Sequence, residues 1–260
     1  MEEHILICED SLEGIFTAVY VAGEKRYQSQ QTRIQVSEEG NLRLFAVYEK
    51  VENDSGRSEK VIRTLRCRFG EEGFYIFCLA LASPDPEKAT AVYRTIMKGL
   101  RLARPERVFE RHADPDVHTV QQLKYKAWHE MHQLFGFVRF RELENGLLFS
   151  EIRPRSNVIA FLADHFADRF PMEHFLLYDC GRELFAVHEA GKQWFLAGAD
   201  CADRLREETV RVSGEEEAYQ ELFRYFCHKI TVEGRRNALL QRGMLPLHFR
   251  PYMTEFQEKS

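Results

Sequence analysis

The 260 residues are 44% hydrophobic and 30% charged, a balance that suits a folded globular chain and excludes extensive disorder. A formal net charge of −5 excludes a protein that coats nucleic acid through broad positive surface, and leaves only local basic patches to consider. No apolar run approaches the roughly 20 residues that cross a bilayer, and the acidic start "MEEHILICED" lacks the basic end of a signal peptide, so a cytoplasmic location is expected.

In chain order, "HILIC" at 4–8 suits a short strand, and Ser11 can cap a helix that stops near Gly23. A polar stretch follows, then the β-branched and aromatic "LRLFAVYEKV" at 42–51, read as a strand ended by "ENDSG". From Ser58 to about Arg104 the pattern is helical. Ala89, Val92, Tyr93, Ile96, Leu100 and Ala103 mark a buried face, with Arg94, Lys98 and Arg101 on another. The charged "ERVFERHADPD" places a boundary near 112, giving a mostly helical lobe at 1–112 and a second region at 113–260.

The second region opens with a helix from about Asp116 to His132, whose core stripe is Val120, Leu123, Ala127 and Met131. Two alternating runs around Asn145-Gly146 form a hairpin. A two-residue turn would mix charge with core residues on both faces. A three-residue loop, Glu144-Asn145-Gly146, instead sets Phe140 against Ser150 and Arg139 against Glu151, so that register is expected. A helix over 157–169, three further strands, and a helix capped by Ser213 and Glu216 follow. Tyr219, Leu222, Phe223, Phe226 and Ile230 are the expected buried face of that last helix, and a further helix broken near Pro246 ends the chain. The fold class is α+β: an antiparallel sheet of about five strands with packed helices, preceded by the helical lobe.

Six scattered cysteines show no C-x-x-C spacing, so neither a zinc ribbon nor a redox dithiol is expected. The stripe His118, Tyr125, His129 and His132 does not hold one ion, because His118 and His129 lie about 16 Å apart along a helix. No metal or cofactor is therefore expected. Gly-rich phosphate loops, the nucleophile elbow and kinase signatures are all missing. The largest charge asymmetry is at 235–250, where Arg235, Arg236, Arg242, His248 and Arg250 occur without an acid. Arginine forks suit phosphate, and the neighbouring Phe249 and Tyr252 can stack on bases. The competing reading is a solvated helix face whose arginines pair within the fold.

Four ordered blocks, "CEDSLEGIFTAVY" (8–20), "GFVRFRELENGLLFSEIRPRSNV" (136–158), "LADHFADRFP" (162–171) and "EGRRNALLQRGMLPLHFRPYM" (233–253), resemble a bacterial family of proteins assigned to DNA metabolism and repair. Its central region is a domain of unknown function. The resemblance implies a radical SAM DNA-modification or repair protein as partner, and many members are fused to a uracil-DNA-glycosylase-like domain. No C-x-x-x-C-x-x-C occurs here to hold a radical SAM cluster, so the chemistry is expected in the partner rather than in this chain. The first expectation is an accessory DNA-binding or adaptor protein, with Arg235, Arg236, Asn237, Gln241, Arg242, His248 and Arg250 meeting DNA or the partner. The second is a nucleic-acid-processing enzyme using Glu130, His132, His165 and Asp168 as acid–base groups, which requires them to converge. The third is an interaction module without DNA contact.

Overall fold

The computed structural model describes residues 3–36, 43–198, 212–230, 241 and 244–256. The chain divides into two compact units, Met1–Trp128 and His129–Ser260.

In the first unit, β1 (Glu3–Ile7) leads into α1 (Leu12–Glu24), whose first turn is capped by the Ser11 hydroxyl accepting from the Gly14 amide at 3.0 Å. Gly14 has a steric reason to lack a side chain: a Cβ there would stand 2.6 Å from the Glu9 carbonyl oxygen. β1 is the middle strand of a parallel sheet, flanked by β2 (Thr32–Gln35) and β3 (Ala46–Lys50) in the order β2-β1-β3. The helical prediction for this lobe holds, but β2 falls in a stretch read as merely polar. "TRIQ" alternates buried and half-buried positions over only four residues, too few for the pattern to stand out.

Three helices complete the unit: α2 (Ser55–Ala82), broken at Gly70 where φ is +74°, α3 (Lys88–Leu100), and the start of α4 (Pro115–Phe137). Leu6, Phe16, Ile34, Phe77, Tyr93, Val117 and Val120 belong to one core. Arg94 and Lys98 do more than coat a helix. The Arg94 guanidinium donates to the backbone oxygens of Ser29, Gln30 and Thr32, and the Lys98 ammonium reaches both Asp114 and Asp116 at 2.6 Å.

The second unit is built on a five-stranded sheet in the order β4-β5-β6-β7-β8: β4 (Arg141–Glu142), β5 (Leu148–Ile152), β6 (Phe175–Asp179), β7 (Leu184–His188) and β8 (Phe195–Ala197). The hairpin adopts the three-residue loop. Arg141 opposes Phe149, Glu142 opposes Leu148, and Gly146 takes φ +77°, the left-handed conformation that the extra residue demands. Between β5 and β6 the chain crosses through α5 (Ile159–Arg169), so these two strands are parallel while every other pair is antiparallel.

Both sheet faces are packed. Phe140 meets Phe166, Phe170 and Phe175 at ring separations of 5.1–5.9 Å on the α5 side. On the opposite face Leu143, Phe149, Leu176, Tyr178 and Phe185 form a second cluster. The hairpin arginines divide their partners otherwise than the strand pairing suggests: Arg141 pairs with Glu151 at 3.5 Å, while Arg139 is held by Glu255 at 2.8 Å. α6 (Gly214–Ile230) begins under the predicted Ser213 cap, the Ser213 hydroxyl accepting from the Glu216 amide at 3.1 Å. Its expected buried face is a correction: Tyr219, Leu222, Phe223 and Phe226 are all exposed among the described residues. An apolar stripe records what a helix could bury, not what the fold supplies to cover it.

Candidate anion-binding interface

The junction between β5 and α5 reads Arg153-Pro154-Arg155-Ser156-Asn157, and its backbone is gripped from two sides. Glu130, on α4, accepts the Arg155 amide at 2.7 Å and the Ser156 amide at 2.8 Å, one on each carboxylate oxygen. Arg182 donates to the Pro154 carbonyl at 3.2 Å and the Arg155 carbonyl at 2.6 Å. Its guanidinium is itself seated by the fully buried Asp179, at 2.9 Å, which also accepts the Gly181 amide. A proline at the centre of the loop removes one donor and fixes φ, so few backbone groups remain to satisfy.

This clamp presents two exposed arginine side chains, Arg153 and Arg155, at the carboxyl end of the parallel pair β5–β6, where α/β crossovers commonly place ligands. Neither forms a carboxylate ion pair among the described residues. The short 3-10 turn Leu247–Tyr252 lies beside them. The Tyr252 hydroxyl interacts with Arg153, and burial pushes its pKa up against that contact. His248 is lowered from its ordinary value by burial and then by the Arg155 charge, with Glu130 opposing. Its Nε2 is buried without a partner, and so are Nε and Nη2 of Arg250, whose guanidinium stacks 4.9 Å from the Phe256 ring centre. Buried N–H groups without acceptors, as at Arg250, are uncommon in folded proteins and are met by a water or an anion.

Of the basic residues singled out from sequence, His248 and Arg250 belong to this region. Gln241 is exposed, its carbonyl accepting the Leu245 amide, and Arg235, Arg236, Asn237 and Arg242 lie outside the described residues. Arg153 and Arg155 are not among the residues singled out from sequence. The signal was available as two arginines around a proline at a strand-to-helix junction.

The acid–base candidates come together in part: His165 lies within electrostatic reach of both His132 and Asp168, while Glu130 is occupied elsewhere. Both oxygens of Glu130 are taken by backbone amides. His132 and His165 each face Phe135, at ring separations of 5.6 and 4.0 Å, and His165 is lowered from its ordinary value by burial and by Arg169. Asp168, whose charge opposes that lowering, also lines a cleft with Asp164, His188 and Trp194. The histidine stripe along α4 is exposed, and no group of three or more metal-ligating side chains occurs among the described residues.

The fold and this loop define a mixed α/β protein with a cationic strand–helix junction. A profile for the domain of unknown function DUF4130 matches residues 86–255, about two thirds of the chain, and the protein belongs to that family. The match includes the hairpin, the clamp and the 3-10 turn. No curated protein matches. Among solved structures, the DHH domain of a member of the s1p family of ribosomal proteins is similar over 73% of this chain and 74% of its own, at 11% identity and a TM-score of 0.31. No helix among the described residues is long and apolar enough to cross a membrane.

Proposed function

We propose that the protein is an accessory DNA-binding or adaptor component of a DNA repair or modification system, working beside a radical SAM enzyme, and that Arg153 and Arg155 contact phosphate. The observation that carries this reading is the clamped loop. Its backbone is held by Glu130, Arg182 and Asp179, while two arginine forks project without acidic partners among the described residues. Preorganised cations of this kind position a nucleic-acid backbone without reading its sequence. The Arg250 guanidinium, with Nε and Nη2 unmet, adds to the same charge, and Arg235, Arg236 and Arg242, outside the described residues, remain part of the proposal from sequence alone. The DNA context itself comes from the family resemblance.

Fluorescence anisotropy with labelled single- and double-stranded oligonucleotides tests the proposal. Affinity should fall steeply with salt, and the double substitution Arg153→Ala/Arg155→Ala should flatten the log–log salt slope on duplex by about 2, close to one unit for each lost phosphate contact. A folded double variant that binds with unchanged slope, or a wild-type protein that binds no DNA at low salt, refutes it.

A further inference from the structure

A second polar region, with chemistry opposite to that of the arginine loop, is built from α5 and the segment that follows β7. Asp164, Asp168, His188, Lys192 and Trp194 line an open cleft of about 900 Å³ with Pro171 and Gly191 at its wall. His188 is the informative member. It is 3% exposed, its ring is stacked 4.7 Å from Phe175, and its Nδ1 lies 2.8 Å from the Glu173 carbonyl oxygen. A carbonyl can only accept, so Nδ1 carries a proton, and in that tautomer Nε2 is the ring's acceptor. That Nε2 has no hydrogen-bond partner among the described residues, and His188 lines the cleft.

The two carboxylates of the cleft are acceptors too. Asp168 is exposed and forms no ion pair among the described residues, and Asp164 accepts the Trp194 indole N–H at 2.7 Å, which fixes the indole beside the carboxylates. Lys192, the one cation at the rim, is already paired with Glu189. A phosphate would meet two carboxylates, with donors only from Gln193 and from a Lys192 already paired with Glu189. A flat cation with several N–H groups fits instead, because it can stack on an indole while donating to carboxylate and imidazole acceptors. Arginine's planar guanidinium matches that demand, whereas an ammonium offers no plane to stack. The cleft is also much larger than one side chain, leaving room for the peptide on either side of it.

We infer that this cleft receives an arginine side chain presented by a protein partner. The site goes beyond the DNA reading and does not depend on it: one face of the unit would take an anion and another a cation.

Trp128 and Trp194 are the two tryptophans, so Trp128→Phe leaves Trp194 as the sole indole reporter. Titrating that protein with N-acetyl-L-arginine methylamide should give a saturable change in Trp194 emission at millimolar concentrations. Asp168→Asn, at an exposed position that keeps the fold, should weaken the apparent affinity about tenfold, the effect of losing one charge-assisted hydrogen bond. N-acetyl-L-lysine methylamide should bind more weakly than the arginine probe. The inference is overturned by no saturable change with the arginine probe, equal affinity in Asp168→Asn, equal binding of the lysine probe, or saturation by dGMP instead. None of these outcomes bears on the oligonucleotide assay, so the two readings can fail separately.

Discussion

Each unit contains one strand–loop–helix crossover ending in a parallel strand pair, β1–α1–β2 in the first and β5–α5–β6 in the second. Their loops resolve charge in opposite ways. The first, Glu9-Asp10-Ser11, is acidic and closed in on itself: Asn53 donates to Glu9 at 2.6 Å, and Asp10 pairs at 2.6 Å with Lys88, whose side chain is 4% exposed. The second is basic, and its acids are spent on backbone and on Arg182, leaving Arg153 and Arg155 free of carboxylates among the described residues. The same topology therefore yields an internally neutralised junction in one place and an outward-facing cation in the other. Topology selects where polar groups gather, and local pairing decides whether they remain available.

The largest effect expected is at the anchor of the basic loop. Asp179→Ala removes a fully buried carboxylate from Arg182 and from the Gly181 amide, and should cost about 3 kcal/mol in urea-unfolding stability. If the second unit keeps its stability, the clamp is not what fixes the loop. In the acidic junction the asymmetry of burial makes a sharper test. Asp10→Ala strands a buried ammonium and should destabilise by about 2 kcal/mol, whereas Lys88→Met leaves behind only an exposed carboxylate and should change the urea midpoint far less. Equal losses would mean that the pair acts through Asp10 rather than through the desolvated lysine.

The smallest effect concerns pH. His165 and His248 both have folded pKa values below the ordinary value of 6.5, through burial first and neighbouring arginines second. The unfolded chain then takes up protons before the folded one does. Stability is fully present above pH 6.5 and declines as pH falls from there through the lowered folded values. His165→Gln should flatten part of that decline in urea midpoints measured across this window. An unchanged slope would show that His165 titrates alike in both states.

Much of this was legible in the sequence. Ser11 and Ser213 announced their helices because a side-chain cap is a local hydrogen bond. The hairpin register followed because only one loop length lets Phe140 turn toward a core. What escaped was non-local. β2 is four residues long and gains its identity from lying beside β1, and the described residues of the α6 apolar stripe stay exposed. At the candidate site, nothing in the spacing of Glu130, Arg155 and Arg182 says that they meet, because 25 and 27 residues separate the contacts. The cleft at His188 was hidden for the same reason, with Trp194 and Asp164 thirty residues apart.

The parallel seam between β5 and β6 also bears on the order of assembly. β4 and β5 can zip together around their three-residue loop, and β6, β7 and β8 can close by short turns, each with little chain to enclose. Joining the two halves requires the whole of α5 to dock first, a longer loop closure that is rewarded only when both halves exist. Hydrogen exchange during refolding should therefore protect the β6–β7 amides before those that bridge β5 and β6. The basic loop sits at the start of that crossover, so the arginines take up their final positions in the slow, last-formed part of the sheet.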